Sequence, residues 1–142
     1  MKKKNVFQVA VILSGFLFAY SAGAKICDFP AYRSRMEDLP LPGRIAQPLA
    51  FLLPLVEILV VVLLVVPRLR IAGVFSSVSM LTIFSLYLLY LTQYPVVSCA
   101  CGGLLEQIGT GWHLALNTGF ILLGAAGLGY KSKHQDQPIN AL

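Results

Sequence analysis

Four long runs of apolar residues divide the chain, and short polar or charged segments separate them. The runs cover residues 6–24, 46–66, 71–94 and 112–130. Each is close to the ~20 residues that an α-helix needs to cross a hydrocarbon core. Apolar residues do not alternate with polar ones inside the runs, as the strands of a membrane β-barrel would require. The pattern therefore predicts an all-α membrane protein: a single domain over residues 1–142, folded as a bundle of four transmembrane helices.

Composition excludes a soluble fold and a disordered chain. Hydrophobic residues make up 57% and charged residues 12% of the 142 residues, whereas a soluble domain has about 25% charged residues and a disordered chain is rich in charge. The net charge of +5 would suit nucleic acid, but the basic residues lie in short tracts beside the apolar runs, which is typical of membrane proteins. We therefore expect the chain to lie in a lipid bilayer and not to bind nucleic acid.

The basic residues also predict the orientation of the helices. Seven of them lie before the first run, between the second and third runs, or after the fourth: Lys2, Lys3, Lys4, Arg68, Arg70, Lys131 and Lys133. The connection 25–45 mixes basic with acidic residues, and the connection 95–111 has no basic residue. The positive-inside rule then places both termini and the tail 131–142 in the cytoplasm, and both connections outside. We expect a multi-pass protein of a bacterial inner membrane.

The first run has a second interpretation. A lysine-rich start, an apolar stretch and Ala22-Gly23-Ala24 also resemble a cleavable secretory signal. The stretch is longer than most signal cores, which favours a retained first helix. Cleavage would leave the orientation of the other helices unchanged.

Three cysteines are the main candidates for chemistry. With this orientation Cys27 lies just beyond the first run, and Cys99 and Cys101 lie in the second outer connection, so all three thiols are on the oxidising side of the membrane. A disulfide within Cys99-Ala100-Cys101 would close a tight turn, and strained, exposed disulfides are the reactive ones. We hypothesise a redox-active dithiol, with Cys27 as a resolving thiol whose thiolate form Lys25 favours.

Two other interpretations of the cysteines remain open. One is a structural disulfide between Cys27 and either Cys99 or Cys101. The other is half of a metal site, which is the weakest because only His113 lies nearby as a further ligand. The sequence therefore predicts no metal ion.

Glu57 lies near the middle of the second run. An ionisable group at that depth costs about 2.5–3.5 kcal/mol, so it generally faces the interior of the bundle and has a partner. Because burial disfavours the charged carboxylate, we expect Glu57 to be largely protonated. It would act as a proton carrier or contact a quinone head group, or it would simply donate a hydrogen bond to another helix, at Asn117, Ser76 or Ser79.

His113 and Asn117 are four residues apart, so they share one face near the outer end of the fourth helix. An imidazole suits proton transfer with a thiol, because histidine titrates near neutral pH. The alternative is an interfacial histidine that hydrogen-bonds a loop carbonyl.

Four segments carry a resemblance to a known family: Tyr20–Lys25 with Asp28-Phe29, Leu53–Glu57, Ser98–Gly103 and Trp112–Asn117. Taken together, they resemble the MauE family of methylamine-utilisation membrane proteins and, more loosely, DoxX-like membrane proteins. It implies a four-span protein that helps disulfides form in the small subunit of methylamine dehydrogenase. The matching site residues are Lys25, Glu57, Cys99, Cys101, His113 and Asn117.

The leading hypothesis is a membrane protein that takes part in thiol–disulfide exchange on the outer face of the membrane, as an oxidoreductase or as an accessory to one. Its partner would be a thioredoxin-like periplasmic protein, a dehydrogenase subunit or, as the one candidate cofactor, a quinone. A non-catalytic DoxX-like assembly factor or oxidoreductase subunit is the alternative. A transporter coupled through Glu57 is less favoured, because the chain has no inverted repeat.

Overall fold

The computed structural model describes residues 4–93 and 110–135 of the chain, which form five α-helices and no strand within those ranges. The helices are α1 (Lys4–Cys27), α2 (Phe29–Glu37), α3 (Gly43–Val65), α4 (Arg70–Leu91) and α5 (Thr110–Gln135). By length and composition, α1, α3, α4 and α5 can each cross a membrane. The predicted all-α fold with four transmembrane helices is confirmed. The cytoplasmic position of the termini stays a prediction.

The four long helices pack in a ring, in which α1 contacts α3, α3 contacts α4, α4 contacts α5, and α5 returns to α1. Each helix contributes one apolar stripe to the interior, where Val11, Phe18, Leu64 and Leu81 belong to one buried cluster. Large apolar side chains also cover the outside: Phe16, for example, is 77% exposed. Such a surface is stable against lipid tails and not against water.

The close approach of α3 and α4 depends on a glycine. A Cβ atom at Gly73 would lie 2.9 Å from backbone atoms of both Leu63 and Leu64. Small residues at such a crossing let two helix backbones approach closely in a membrane, where packing rather than the hydrophobic effect holds helices together. Gly73 therefore helps to set the separation of α3 from α4.

The short helix α2 lies inside the connection 25–45, where the sequence analysis expected no helix. Pro30 stands in its first turn, a position where the missing N–H of proline costs no hydrogen bond. Tyr32 and Met36, one turn apart, are buried in a cluster with Ala50 of α3 and Leu91 of α4. This small second core holds α2 against the first half of α3.

Candidate functional site

A buried ion pair joins α1 to α3. The Nζ atom of Lys25, in the last turn of α1, lies 2.5 Å from Oε1 of Glu57, and the two side chains are only 4% and 5% exposed. Glu57 thus faces the interior of the bundle. The partners of Glu57 are therefore Lys25 and Ser21, which corrects the expectation of a hydrogen bond to Asn117, Ser76 or Ser79.

Ser21 completes this ion pair. Its hydroxyl lies one turn before Lys25 on α1, accepts a hydrogen bond from Lys25 Nζ at 2.8 Å, and donates one to Glu57 Oε1 at 3.0 Å. Both charges therefore have a hydrogen-bond partner besides each other, which a buried ion pair needs in order to persist. The other carboxylate oxygen, Glu57 Oε2, is buried without a hydrogen-bond partner among the described residues.

Two polar residues of α5 face the ion pair. His113 and Asn117 are 6% and 4% exposed, and both line a cavity of about 50 Å³ that Ser21, Lys25 and Glu57 also line. We call it the polar cavity. Asn117 Nδ2 is a second buried polar atom with no hydrogen-bond partner in the described part of the chain. The cavity thus joins one unused acceptor and one unused donor inside the bundle, and it exceeds the ~10–15 Å³ that a water molecule needs.

The apolar wall of the polar cavity positions the histidine. The ring of His113 packs against the ring of Phe84 on α4, with 5.7 Å between the ring centroids. The one-turn spacing of His113 and Asn117 puts both side chains on the face of α5 that meets α1 and α4. Their shared face was predicted from sequence; that it opens onto Lys25 and Glu57 is a result of the tertiary structure.

Tyr32 of α2 is a further neighbour of the lysine. Lys25 Nζ is 5.9 Å from the centroid of the Tyr32 ring, within the range of a cation–π contact. Burial, together with the negative charge of Glu57, raises the pKa of Tyr32 above the usual value for a phenol. The sequence analysis missed both Tyr32 and Ser21. The signal for each was a spacing of four residues, from Tyr32 to Met36 and from Ser21 to Lys25.

Of the three cysteines, the structure places one. Cys27 is the last residue of α1 and is exposed. It lies two residues after Lys25, the partner of Glu57. Cys99 and Cys101 lie outside the described residues. The redox-active dithiol and its exchange with Cys27 therefore stay predictions.

The ring of four long helices and the charged site inside it define a small multi-pass membrane protein with an internal polar site. A model of one protein family, described as methylamine utilisation protein MauE, matches residues 3–130. The match covers every residue that we assign to the site, and the chain belongs to the MauE family. Neither the curated proteins nor the solved structures gave a match to this chain.

Proposed function

We propose that this protein promotes thiol–disulfide exchange on the outer face of a bacterial inner membrane, during the maturation of periplasmic redox enzymes. The observation that carries the proposal is the buried Lys25–Glu57 pair, held at the end of α1 only two residues before the exposed Cys27. Membership of the MauE family supports a role in methylamine utilisation, with a dehydrogenase subunit as the client.

The exchange itself needs only sulfur chemistry. A client thiolate attacks a disulfide between Cys99 and Cys101, and a second client thiol then displaces the mixed disulfide, so each step forms one S–S bond and breaks one. The client gains a disulfide, and Cys99 and Cys101 become thiols. Cys27 is the third thiol, able to attack the mixed disulfide if the client is slow to do so.

Restoring the disulfide requires that two electrons and two protons leave Cys99 and Cys101. The acceptor is a thioredoxin-like protein that brings its own disulfide, or a quinone in the membrane. The polar cavity contributes groups that exchange protons, namely Lys25, Glu57 and His113. In this proposal they take up or supply the protons of the redox reaction, and they do not themselves change redox state.

Cysteine replacement in native membranes tests the proposal. Cys99→Ser and Cys101→Ser should each leave the client's thiols reduced, whereas Cys27→Ser should slow turnover or accumulate a mixed disulfide. Ser98→Ala, in the same connection, is the control. The measurement is the redox state of the client and of the three cysteines, trapped with a thiol-alkylating reagent.

A structural disulfide predicts a different pattern. Two of the three serine variants would then lower the amount of protein in the membrane, and the third would have no effect. A cysteine pair that stays oxidised and never reacts in living membranes would rule out exchange and favour a non-catalytic assembly factor.

A further inference from the structure

A second and larger cavity lies beside the ion pair. It has a volume of about 290 Å³, and α2, α3 and α4 supply most of its wall. We call it the tyrosine cavity, after Tyr32 and Tyr87, which both line it. Its volume is close to the lower end of the ~300–1,000 Å³ that is usual for small-molecule sites. A single ring with short substituents is the size of ligand that it suits.

Two buried hydroxyl groups stand in this apolar wall. The phenol oxygens of Tyr32 on α2 and Tyr87 on α4 are both buried, and neither has a hydrogen-bond partner among the described residues. Buried polar groups are nearly always hydrogen-bonded, so two exceptions in one cavity require an explanation. Phenylalanine would give the same apolar packing without leaving a hydroxyl unpaired. The hydroxyls are explained if the cavity receives a ligand that carries hydrogen-bond acceptors.

The lysine of the ion pair lines this cavity as well. Lys25, Leu53, Met80 and Phe84 line both the polar cavity and the tyrosine cavity. Two of the three N–H groups of Lys25 bond Ser21 and Glu57, which leaves the third for a ligand. The tyrosine cavity therefore offers hydrogen-bond donors, an apolar wall, and a neighbouring ion pair that can exchange protons.

The ligand that fits these features is a membrane-soluble ring with carbonyl oxygens. An acyl chain would leave both hydroxyls unpaired, and a charged ligand would have to be desolvated against an apolar wall. We propose that the tyrosine cavity binds the head group of a membrane quinone, with the hydroxyls of Tyr32 and Tyr87 as donors to its carbonyl oxygens.

This inference deepens the proposed function and depends on it for its redox meaning. A quinone that oxidises two thiols takes two electrons from the sulfur atoms and two protons, so that one disulfide and one quinol result. Among the described residues no cysteine lines the tyrosine cavity, and binding of a quinone can be measured without following any reaction of the thiols. Binding and thiol exchange can therefore be tested separately.

The test is titration of the purified full-length protein, in lipid nanodiscs, with ubiquinone-1. We expect saturable binding to one site by calorimetry. Tyr32→Phe and Tyr87→Phe should each weaken binding roughly two- to tenfold, as the loss of one hydrogen bond does. Tyr90→Phe is the matched control, since Tyr90 lies on the same helix as Tyr87 but is half exposed; it should bind as the parent protein does.

Thermal unfolding of the empty protein separates a ligand site from a structural role. If the two hydroxyls serve only a ligand, Tyr32→Phe and Tyr87→Phe leave the melting temperature of the empty protein unchanged or raise it. A loss of binding together with a fall in that melting temperature would overturn the assignment. The absence of saturable binding would overturn it too. So would an affinity of the double variant Tyr32→Phe/Tyr87→Phe equal to that of the parent protein, which would indicate that the cavity merely accepts an apolar chain.

The two proposals fail in different ways. If ubiquinone-1 binds as expected while the cysteines are inert in membranes, the quinone site stands and thiol exchange is wrong. If the cysteines cycle while no quinone binds, exchange stands with a protein as its electron acceptor, and the quinone site is wrong.

Discussion

Removing one charge of the Lys25–Glu57 pair should destabilise the bundle more than removing both. Glu57→Gln keeps the shape of the side chain and an acceptor for Ser21, but it leaves the Lys25 ammonium buried without a counter-charge. Lys25→Met, in turn, leaves the Glu57 carboxylate buried without a counter-charge. The double variant Lys25→Met/Glu57→Leu removes both charges and replaces them with apolar groups of similar size.

The distance in the structure sets the scale of the effect. At 2.5 Å between Nζ and Oε1, Coulomb's law with an effective dielectric constant of about 20 gives roughly 7 kcal/mol of attraction. Desolvation of the two charges offsets most of this, at several kcal/mol for each ion. We expect each single variant to lower the free energy of unfolding by about 3–5 kcal/mol, and the double variant to lie within about 1 kcal/mol of the parent or above it.

Unfolding of the purified protein in detergent micelles, followed by circular dichroism as SDS is added, measures these differences. The chain supplies its own control in the exposed pair on α2, where Arg33 Nε lies 3.2 Å from Glu37 Oε1 and the side chains are 43% and 45% exposed. Glu37→Gln should cost no more than about 0.5 kcal/mol, as is usual for exposed pairs four residues apart on a helix.

Two results would contradict this reasoning. If Glu57→Gln costs no more than Glu37→Gln, Glu57 is neutral in the folded protein and the ion pair is not formed. If the double variant is at least as unstable as the two single variants together, the loss comes from packing around the side chains and not from an unpaired charge.

Three further predictions concern packing, orientation and pH. Gly73→Ala should destabilise the bundle by about 1–3 kcal/mol in the same SDS titration, because the new methyl group meets the backbone of α3. Gly119→Ala is the control and should not destabilise it, because a Cβ atom there meets nothing within 4 Å. Equal effects of the two variants would contradict the close approach of α3 and α4. A reporter fused after Tyr130 should be active only if it is one that works in the cytoplasm, and activity of an external reporter there would reverse the predicted orientation. Because the pKa of Tyr32 is raised in the folded protein, its contribution to stability should be complete below the pH ~10 at which an unfolded tyrosine loses its proton. The free energy of unfolding should then fall as the pH rises above that value. Tyr32→Phe should make this fall smaller, and an unchanged pH profile would refute the raised pKa of Tyr32.

The short helix α2, which the sequence analysis did not predict, shows that local hydropathy does not reveal every helix. The segment Phe29–Glu37 is polar on average, so nothing in its hydropathy separates it from a loop. Its helix is stabilised by burial of Tyr32 and Met36 against Ala50 and Leu91, residues from two other helices. A nine-residue helix is marginal by itself in water, and tertiary contacts therefore decide whether it forms.

The sequence by itself determined the four membrane-spanning helices and the inward position of Glu57. Both follow from local free energies: an apolar run of about 20 residues must be helical in lipid because its backbone has no other hydrogen-bond partners, and an ionisable side chain at mid-membrane is costly unless it faces the protein interior. Only the tertiary structure decided that the partner of Glu57 is Lys25, which lies 32 positions away in the chain. A lysine at the end of an apolar run can extend outward to water or inward to a carboxylate, and the packing of α1 against α3 selects between the two.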